Sequence, residues 1–271
     1  MLKGKQIGFV GAGNMATALI RGVLAAKLAR PEQVLIFDVD AGKMDRLVEA
    51  HQVVTAKNNC DLVGRCDLVV LAVKPQVMGQ VLQEIAPAVR GDQCFISIAA
   101  GITLARLEGA LGPNARVIRT MPNTPALIGA GAAAIARGHA ASDEDAAVAQ
   151  AIFGAVGSAV VLDEKYLDAV TAISGSGPAY LFFFVEALFE AAERTGLERE
   201  IGQALVKQTI LGAARMVSEL SQTPAQLREA VTSPGGTTAA ALAVLREGGF
   251  ADLIVRAVEA AAARAAQLAK A

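Results

Sequence analysis

The residues best equipped for chemistry stand near the start of the chain: Ile7-Gly8-Phe9-Val10-Gly11-Ala12-Gly13-Asn14-Met15-Ala16. An apolar run leads into G-x-G-x-x-A and then into the helical pattern Ala18-Leu19-Ile20. In such an arrangement Gly11 permits a tight turn, Gly13 lets backbone approach a pyrophosphate, and Ala16 allows close helix–strand packing. Phosphate oxygens then rest on the free N–H groups of the helix N-terminus. Glycines alone would fit any strand–helix turn. Strand, glycines and helix in this order point to dinucleotide binding.

Asp38 closes the second apolar run, somewhat beyond the typical spacing of about 20 residues from the glycines. A carboxylate there accepts hydrogen bonds from both adenosine ribose hydroxyls and repels a 2′-phosphate, which on physics alone favours NADH. Equally, Asp38 and Asp40 could belong to a turn, one of them capping a helix that starts near Ala41. Lys74-Pro75 follows the fourth run, where Pro75 suits the first turn of a helix and Lys74 aims charge either at the cleft or into solvent. Ala99-Ala100-Gly101 is small enough for a flat ring to lie against it. Met121-Pro122-Asn123-Thr124-Pro125 reads as either a site loop or a rigid turn.

The usual proton donors for ketone reduction are missing. The two histidines, His51 and His139, read as loop or strand-edge residues, and neither Tyr166 nor Tyr180 is followed four residues later by Lys. Carbonyl reduction needs a proton on a weakly basic oxygen. A C=N bond does not, because an imine nitrogen near neutral pH can carry its own proton. What it requires is orientation and a mild hydrogen-bonding partner. Thr232-Ser233-Pro234-Gly235-Gly236-Thr237-Thr238 offers one: backbone N–H groups opening a helix near Ala239 suit a substrate carboxylate, with the Thr237 and Thr238 hydroxyls in reach. Ser174-Gly175-Ser176-Gly177-Pro178 is expected to open another helix in the same manner. Ordinary N-capping accounts for both segments equally well.

Two kinds of element must hold these residues. Up to about residue 163, short β-branched runs at 6–10, 34–37, 52–54, 68–72, 94–98, 116–119, 132–136 and 159–162 alternate with amphipathic stretches. Runs such as Leu68-Val69-Val70-Leu71 are apolar throughout, as in parallel strands buried on both faces. This predicts an α/β N-terminal Rossmann-like dinucleotide-binding domain over 1–163. Beyond it, helical patterns at 164–172, 178–195, 198–219, 224–230, 236–247 and 251–270 predict an all-α C-terminal domain over 164–271, serving substrate binding and dimerisation.

Composition agrees. The chain has 271 residues, 25 Lys or Arg against 26 Asp or Glu, and a net charge of −1. That balance removes the electrostatic case for a nucleic-acid partner. Hydrophobic residues make up 54%, charged ones only 19%, and mean hydropathy is +0.44, apolar enough to require burial between subunits or in a membrane. The charge-free runs 120–136, 146–162 and 169–185 are each broken by Gly or Pro and fall short of the roughly 20 residues of a spanning helix, so no membrane is expected. Phe182, Phe183, Phe184 and Phe189 lie nearly all round one helix, so two subunits are expected to pack there. Three cysteines without a C-x-x-C predict reduced core thiols, no metal site and a cytoplasmic location.

Six blocks resemble the pyrroline-5-carboxylate reductases: V-G-A-G-N-M-A at 10–16, A-V-K-P-Q at 72–76, S-I-A-A-G at 97–101, R-x-M-P-N-T-P at 119–125, A-x-S-G-S-G-P-A-Y at 172–180 and T-S-P-G-G-T-T at 232–238. They span nearly the whole chain in order. The resemblance implies reduction of the cyclic imine 1-pyrroline-5-carboxylate to L-proline by NADPH or NADH. It implies that Gly11, Ala12, Gly13, Asn14 and Met15 bind the pyrophosphate and that Asn59, beside Asn58, lies near the adenosine ribose. Ala72, Lys74, Pro75 and Ala100 would line the nicotinamide end. Ser233, Gly235, Gly236 and Thr237, with Ser176 nearby, would hold the substrate, and Thr238 would hydrogen-bond the ring nitrogen. Many members that prefer NADPH place Ser, Thr, Asn or Arg after the second strand, where this chain has Phe37-Asp38-Val39-Asp40 and no Arg before Arg46. The family's helical halves interlock into homodimers that assemble into larger rings, such as decamers. Two other readings are a reductase of another small imino or keto acid and a non-catalytic dinucleotide-binding oligomer.

Overall fold

The computed structural model describes Leu2 and residues 4–270; Met1, Lys3 and Ala271 lie outside the described residues. Eight strands form one sheet: β1 (Ile7–Val10), β2 (Val34–Phe37), β3 (Val54–Thr55), β4 (Leu68–Leu71), β5 (Cys94–Ser97), β6 (Arg116–Met121), β7 (Gly131–Arg137) and β8 (Gly157–Val161). Their order is β3-β2-β1-β4-β5-β6-β7-β8, every pair parallel except β6 with β7. The first six strands thus follow the doubly wound order, with the chain reversing direction across the sheet between β1 and β4.

Helices α1 (Asn14–Ala25), α2 (Ala41–His51), α3 (Asn59–Arg65), α4 (Pro75–Ile85), α5 (Leu104–Leu111) and α6 (Asp143–Gly154) cover the sheet. Alternate side chains of each strand serve opposite faces, which is why the runs are apolar throughout. Ile7, Phe9, Val34, Ile36, Leu68 and Val70 pack on one face with Leu19 and Ile20 of α1 and Phe153 of α6. Val10, Leu35, Val69, Leu71 and Phe95 pack on the other with Leu62 of α3, Met78 and Leu82 of α4 and Leu107 of α5.

Two local expectations change. Gln52, expected to start β3, is instead the left-handed cap of α2 at φ 57°, its N–H bound to Val48 O, so the strand begins two residues later. His51 therefore ends a helix. The thiols of Cys66 and Cys94 are buried as expected, and burial pushes both up to about 12, whereas Cys60 is only half-buried.

The rest is helical: α7 (Leu167–Val170), a π-helical turn at Thr171–Gly175, α8 (Gly177–Arg194), α9 (Arg199–Glu219), α10 (Pro224–Ala230), α11 (Thr237–Glu247) and α12 (Phe250–Lys270). The strand signal ends where expected, but the compact units divide later. One comprises Met1–Ser176 with Ala261–Ala271, the other Gly177–Ala260.

The expected break at 174–178 is not there. The chain stays helical from Glu164 to Arg194, a run of 31 residues long and apolar enough to cross a membrane by length and composition. Gly and Pro fail to interrupt it because the π turn widens the helix locally, with the Ser176 N–H reaching back to Thr171 O at 2.8 Å. Within the second unit, the only buried described residues are Ala192 and Gly202. Phe182 and Phe183 are 60% and 75% exposed in the single chain. Apolar surface on this scale marks an interaction face.

Candidate functional site

A cleft of about 420 Å³ opens beyond the carboxyl ends of β1, β2 and β4 in the first unit. Six of the expected residues line it together: Gly11, Gly13, Asp38, Asn59, Ala72 and Lys74. Each is placed by the topology. Where β1 and β4 diverge, the glycine turn comes against the end of β4. Gly11 has φ +100°, and a Cβ on it would lie 2.7 Å from the Ala72 carbonyl oxygen, so only glycine fits. A Cβ on Gly13 would meet nothing within 4 Å among the described residues, so that position faces open space.

Gly13 is also the N-cap of α1 and, among the described residues, offers no side-chain hydrogen bond to the helix start. The first N–H groups of α1 are therefore left for a ligand, as anion binding requires. Ala12 and Asn14 line a neighbouring cavity of about 310 Å³ with Thr17, Lys43, Arg46 and His51. Met15 packs against the core instead. Pro75 opens α4 directly after its N-cap Lys74. Ala100 follows β5 and does not line the cleft.

Asp38 is neither a free carboxylate nor a helix cap. Its Oδ2 accepts the Ala12 N–H at 2.8 Å, and its Oδ1 accepts the Asp40 N–H at 2.9 Å and lies 3.5 Å from Lys43 Nζ. Partial burial raises its pKa, but those two N–H groups and the Lys43 ammonium outweigh burial and hold the carboxyl below its ordinary value. Lys43, the nearest cation for a 2′-phosphate, is thus already paired.

Sequence reasoning missed two features and left a third open. Glu84, at the far side of the cleft, accepts Asn59 Nδ2 at 2.9 Å. Val73, Val77 and Val81 give the cleft an apolar wall. Beyond Met121, the last residue of β6, the Pro122–Pro125 segment is tied down by Asn123, which donates to Ser174 O at 3.0 Å and accepts the Ala132 N–H at 2.8 Å, as a structural turn would be. The Asn59–Glu84 and Asn123–Ser174 pairings join residues remote in sequence and leave no local pattern, whereas the three valines recur every four residues, a helical spacing that could have been read.

In the second unit, the expected substrate loop precedes α11. Gly235 has φ +69°, and the Gly236 N–H closes a turn onto Ser233 O at 3.0 Å. Gly236 caps α11 without a side-chain hydrogen bond among the described residues, so the helix start at Thr237 and Thr238 again presents unpaired N–H groups. Ser176 differs from expectation. Its backbone N–H is spent inside the continuous helix, so that segment is no second anion site and only the hydroxyl remains for a ligand.

The comparisons with known proteins cover the whole chain. A family model described as pyrroline-5-carboxylate reductase dimerisation matches residues 164–268, and one described as NADP oxidoreductase, coenzyme F420-dependent, matches residues 6–101. The chain is 41% identical to a pyrroline-5-carboxylate reductase of Synechocystis over 98% of both chains. It is 43% identical to that of Pseudomonas aeruginosa over 98% of this chain and 97% of the relative. It superposes on a solved pyrroline-5-carboxylate reductase from Coxiella burnetii with TM-score 0.92 at 38% identity, covering 98% of this chain and 99% of that one. On the Plasmodium falciparum pyrroline carboxylate reductase, solved with NADP bound, it superposes with TM-score 0.87 at 33% identity, covering 98% of both.

Proposed function

The chain belongs to the pyrroline-5-carboxylate reductase family, and on that premise we propose how its residues divide the reaction among them. It is an oxidoreductase that reduces 1-pyrroline-5-carboxylate to L-proline, the last step of proline biosynthesis, with NADPH or NADH. The observation that carries the assignment of residues is the cleft at the end of β1, with a glycine turn that tolerates no Cβ at Gly11 and an uncapped helix behind it. The N–H groups at Gly13, Asn14 and Met15 fit a pyrophosphate, Asp38 and Asn59 an adenosine ribose, and Ala72 and Lys74 the nicotinamide end, to which family resemblance alone adds Pro75 and Ala100. The bound nicotinamide supplies the hydride.

The substrate carboxylate rests on the backbone N–H groups of the 233–237 turn, a site matched to an anion by the positive end of α11. With the ring held there, the Thr238 hydroxyl hydrogen-bonds the ring nitrogen and orients the C=N bond. The imine enters as its iminium, so the proton that a ketone would require is already on the nitrogen, and no His or Tyr acid is needed. Thr238 accepts from that N–H; hydride addition at the ring carbon cancels the iminium charge, and the neutral amine formed takes its second proton from solvent through the Thr238 hydroxyl. The Ser176 hydroxyl is a further contact for the substrate.

The chain forms a homo-oligomer through its dimerisation domain. We place the exposed apolar face of α8 to α12 against a second copy instead of lipid, and take the dimers to assemble further into a ring such as a decamer. A cytoplasmic location is supported by the biosynthetic role and the three free thiols. Initial rates of reduced-nicotinamide absorbance loss with 1-pyrroline-5-carboxylate test the reading. Turnover is expected. A folded protein that binds the dinucleotide without turnover would refute it.

A further inference from the structure

Asn59 and Glu84 stand 25 positions apart, and only folding brings them together on one wall of the cofactor cleft. Asn59 opens α3 and is buried, whereas Asn58 is exposed and caps that helix by accepting the Asp61 N–H at 2.8 Å. The Asn59 side chain lies 2.9 Å from Glu84 Oε2. The amide nitrogen is the donor to that oxygen, so the carbonyl Oδ1 is turned the other way. A second tie, from Cys60 Sγ to the Glu84 backbone carbonyl at 3.1 Å, holds the start of α3 against the end of α4.

We propose that Glu84 is a positioning residue for the dinucleotide. By holding the Asn59 amide in one orientation, it presents Oδ1 as a ready acceptor for an adenosine ribose hydroxyl. The proposal rests on Asn59 being a ribose contact. An amide free to flip would offer donor and acceptor in turn, and the ribose would meet the matched group only part of the time. On this side Val73, Val77 and Val81 are apolar and Gln80 is the other neutral polar side chain, so orientation falls to a few polar groups.

The test uses the full-length oligomer, with 5′-AMP and reduced nicotinamide mononucleotide as separate competitors against NADH, so that the two ends of the cofactor are read independently. Glu84→Ala should weaken AMP binding about five- to tenfold, the worth of one ordinary hydrogen bond, and shift the mononucleotide less than about twofold. Glu84→Gln, which can present either end of its own amide to Asn59, should give an intermediate loss. In an Asn59→Ala background, Glu84→Ala should add nothing, because both act through one contact. Equal losses for both competitors, or an undiminished loss in that background, would overturn the proposal and leave Glu84 as a brace between two helices. Failure of Asn59→Ala itself to weaken AMP would overturn the ribose contact on which the proposal stands.

Discussion

The Asp38 carboxylate accepts the Ala12 N–H at 2.8 Å, so the residue that follows β2 also anchors the glycine turn after β1. One side chain thereby ties the end of β2 to the glycine turn, the two places proposed above for the ribose and the pyrophosphate. Replacing Asp38 should act on both. Asp38→Ser removes a charge that would repel a 2′-phosphate and releases Lys43 from one of its two carboxylates, the other being Asp40, so NADPH should gain relative to NADH. The lost anchor should weaken NADH itself, by about tenfold for a charge-assisted hydrogen bond. Paired KM values for the two cofactors check this, and an unchanged ratio would place Asp38 outside the ribose pocket.

The same carboxyl gives a pH signature. Because its folded pKa is held below the ordinary value of 3.8, its stabilising contribution is present above that value and lost as pH falls through the folded one. Asp38→Asn should therefore lower stability at neutral pH and flatten the loss on acidification below about pH 4. Denaturant midpoints measured across that range read it directly.

Gly11 and Gly13 separate folding from binding. Gly11→Ala forces a Cβ to 2.7 Å from the Ala72 carbonyl oxygen at φ +100° and should cost upwards of about 1–2 kcal/mol of stability. Gly13→Ala meets open space at φ −77°, so its thermal midpoint should hold while dinucleotide binding weakens. Thermal scans paired with NADH titrations distinguish the two.

If Thr238 hydrogen-bonds a charged ring nitrogen, the bond is worth roughly 1.5–3 kcal/mol. At about 1.4 kcal/mol per tenfold, Thr238→Ala should lower kcat/KM about 10- to 100-fold. A loss beyond about ten-thousandfold would make it the obligatory acid, and no loss would remove it from the chemistry.

Arg119, with a side chain only 6% exposed, pairs with Glu164 at 2.8 Å, and the same Glu164 oxygen accepts the Leu104 N–H at 2.7 Å. Glu164→Ala strands a buried guanidinium and should cost about 3–5 kcal/mol. Adding Arg119→Met should recover part of that in urea melts, since the uncompensated charge is then gone.

With only Ala192 and Gly202 buried between 177 and 260, the second unit depends on a partner chain for its core. The thermal midpoint should therefore rise with protein concentration. A midpoint constant across a hundredfold dilution would mean the apolar faces are covered some other way.

By itself the sequence determined what local rules can determine. Apolar runs without alternation implied strands buried on both faces, and the order of strand, glycines and helix at 7–16 placed the cofactor turn, because backbone sterics and periodicity act over a few residues. Lys74 and Thr238 stood out by their places after a strand and at a helix start, with ordinary alternatives left open; family resemblance gave them definite roles, and it alone pointed to Asn59. Tertiary structure decided the rest. Asp38 was recognised as a carboxylate at the right edge, yet its bond to Ala12 spans 26 positions, and the Glu84–Asn59 and Arg119–Glu164 pairs span 25 and 45. Such pairings exist only once the sheet has ordered its strands. The helix that runs unbroken through Gly175, Gly177 and Pro178 makes the same point from the other side: propensity forecasts a break, and a widened π turn absorbs it. Local preference costs a kilocalorie or so per residue, and the surrounding packing is worth more.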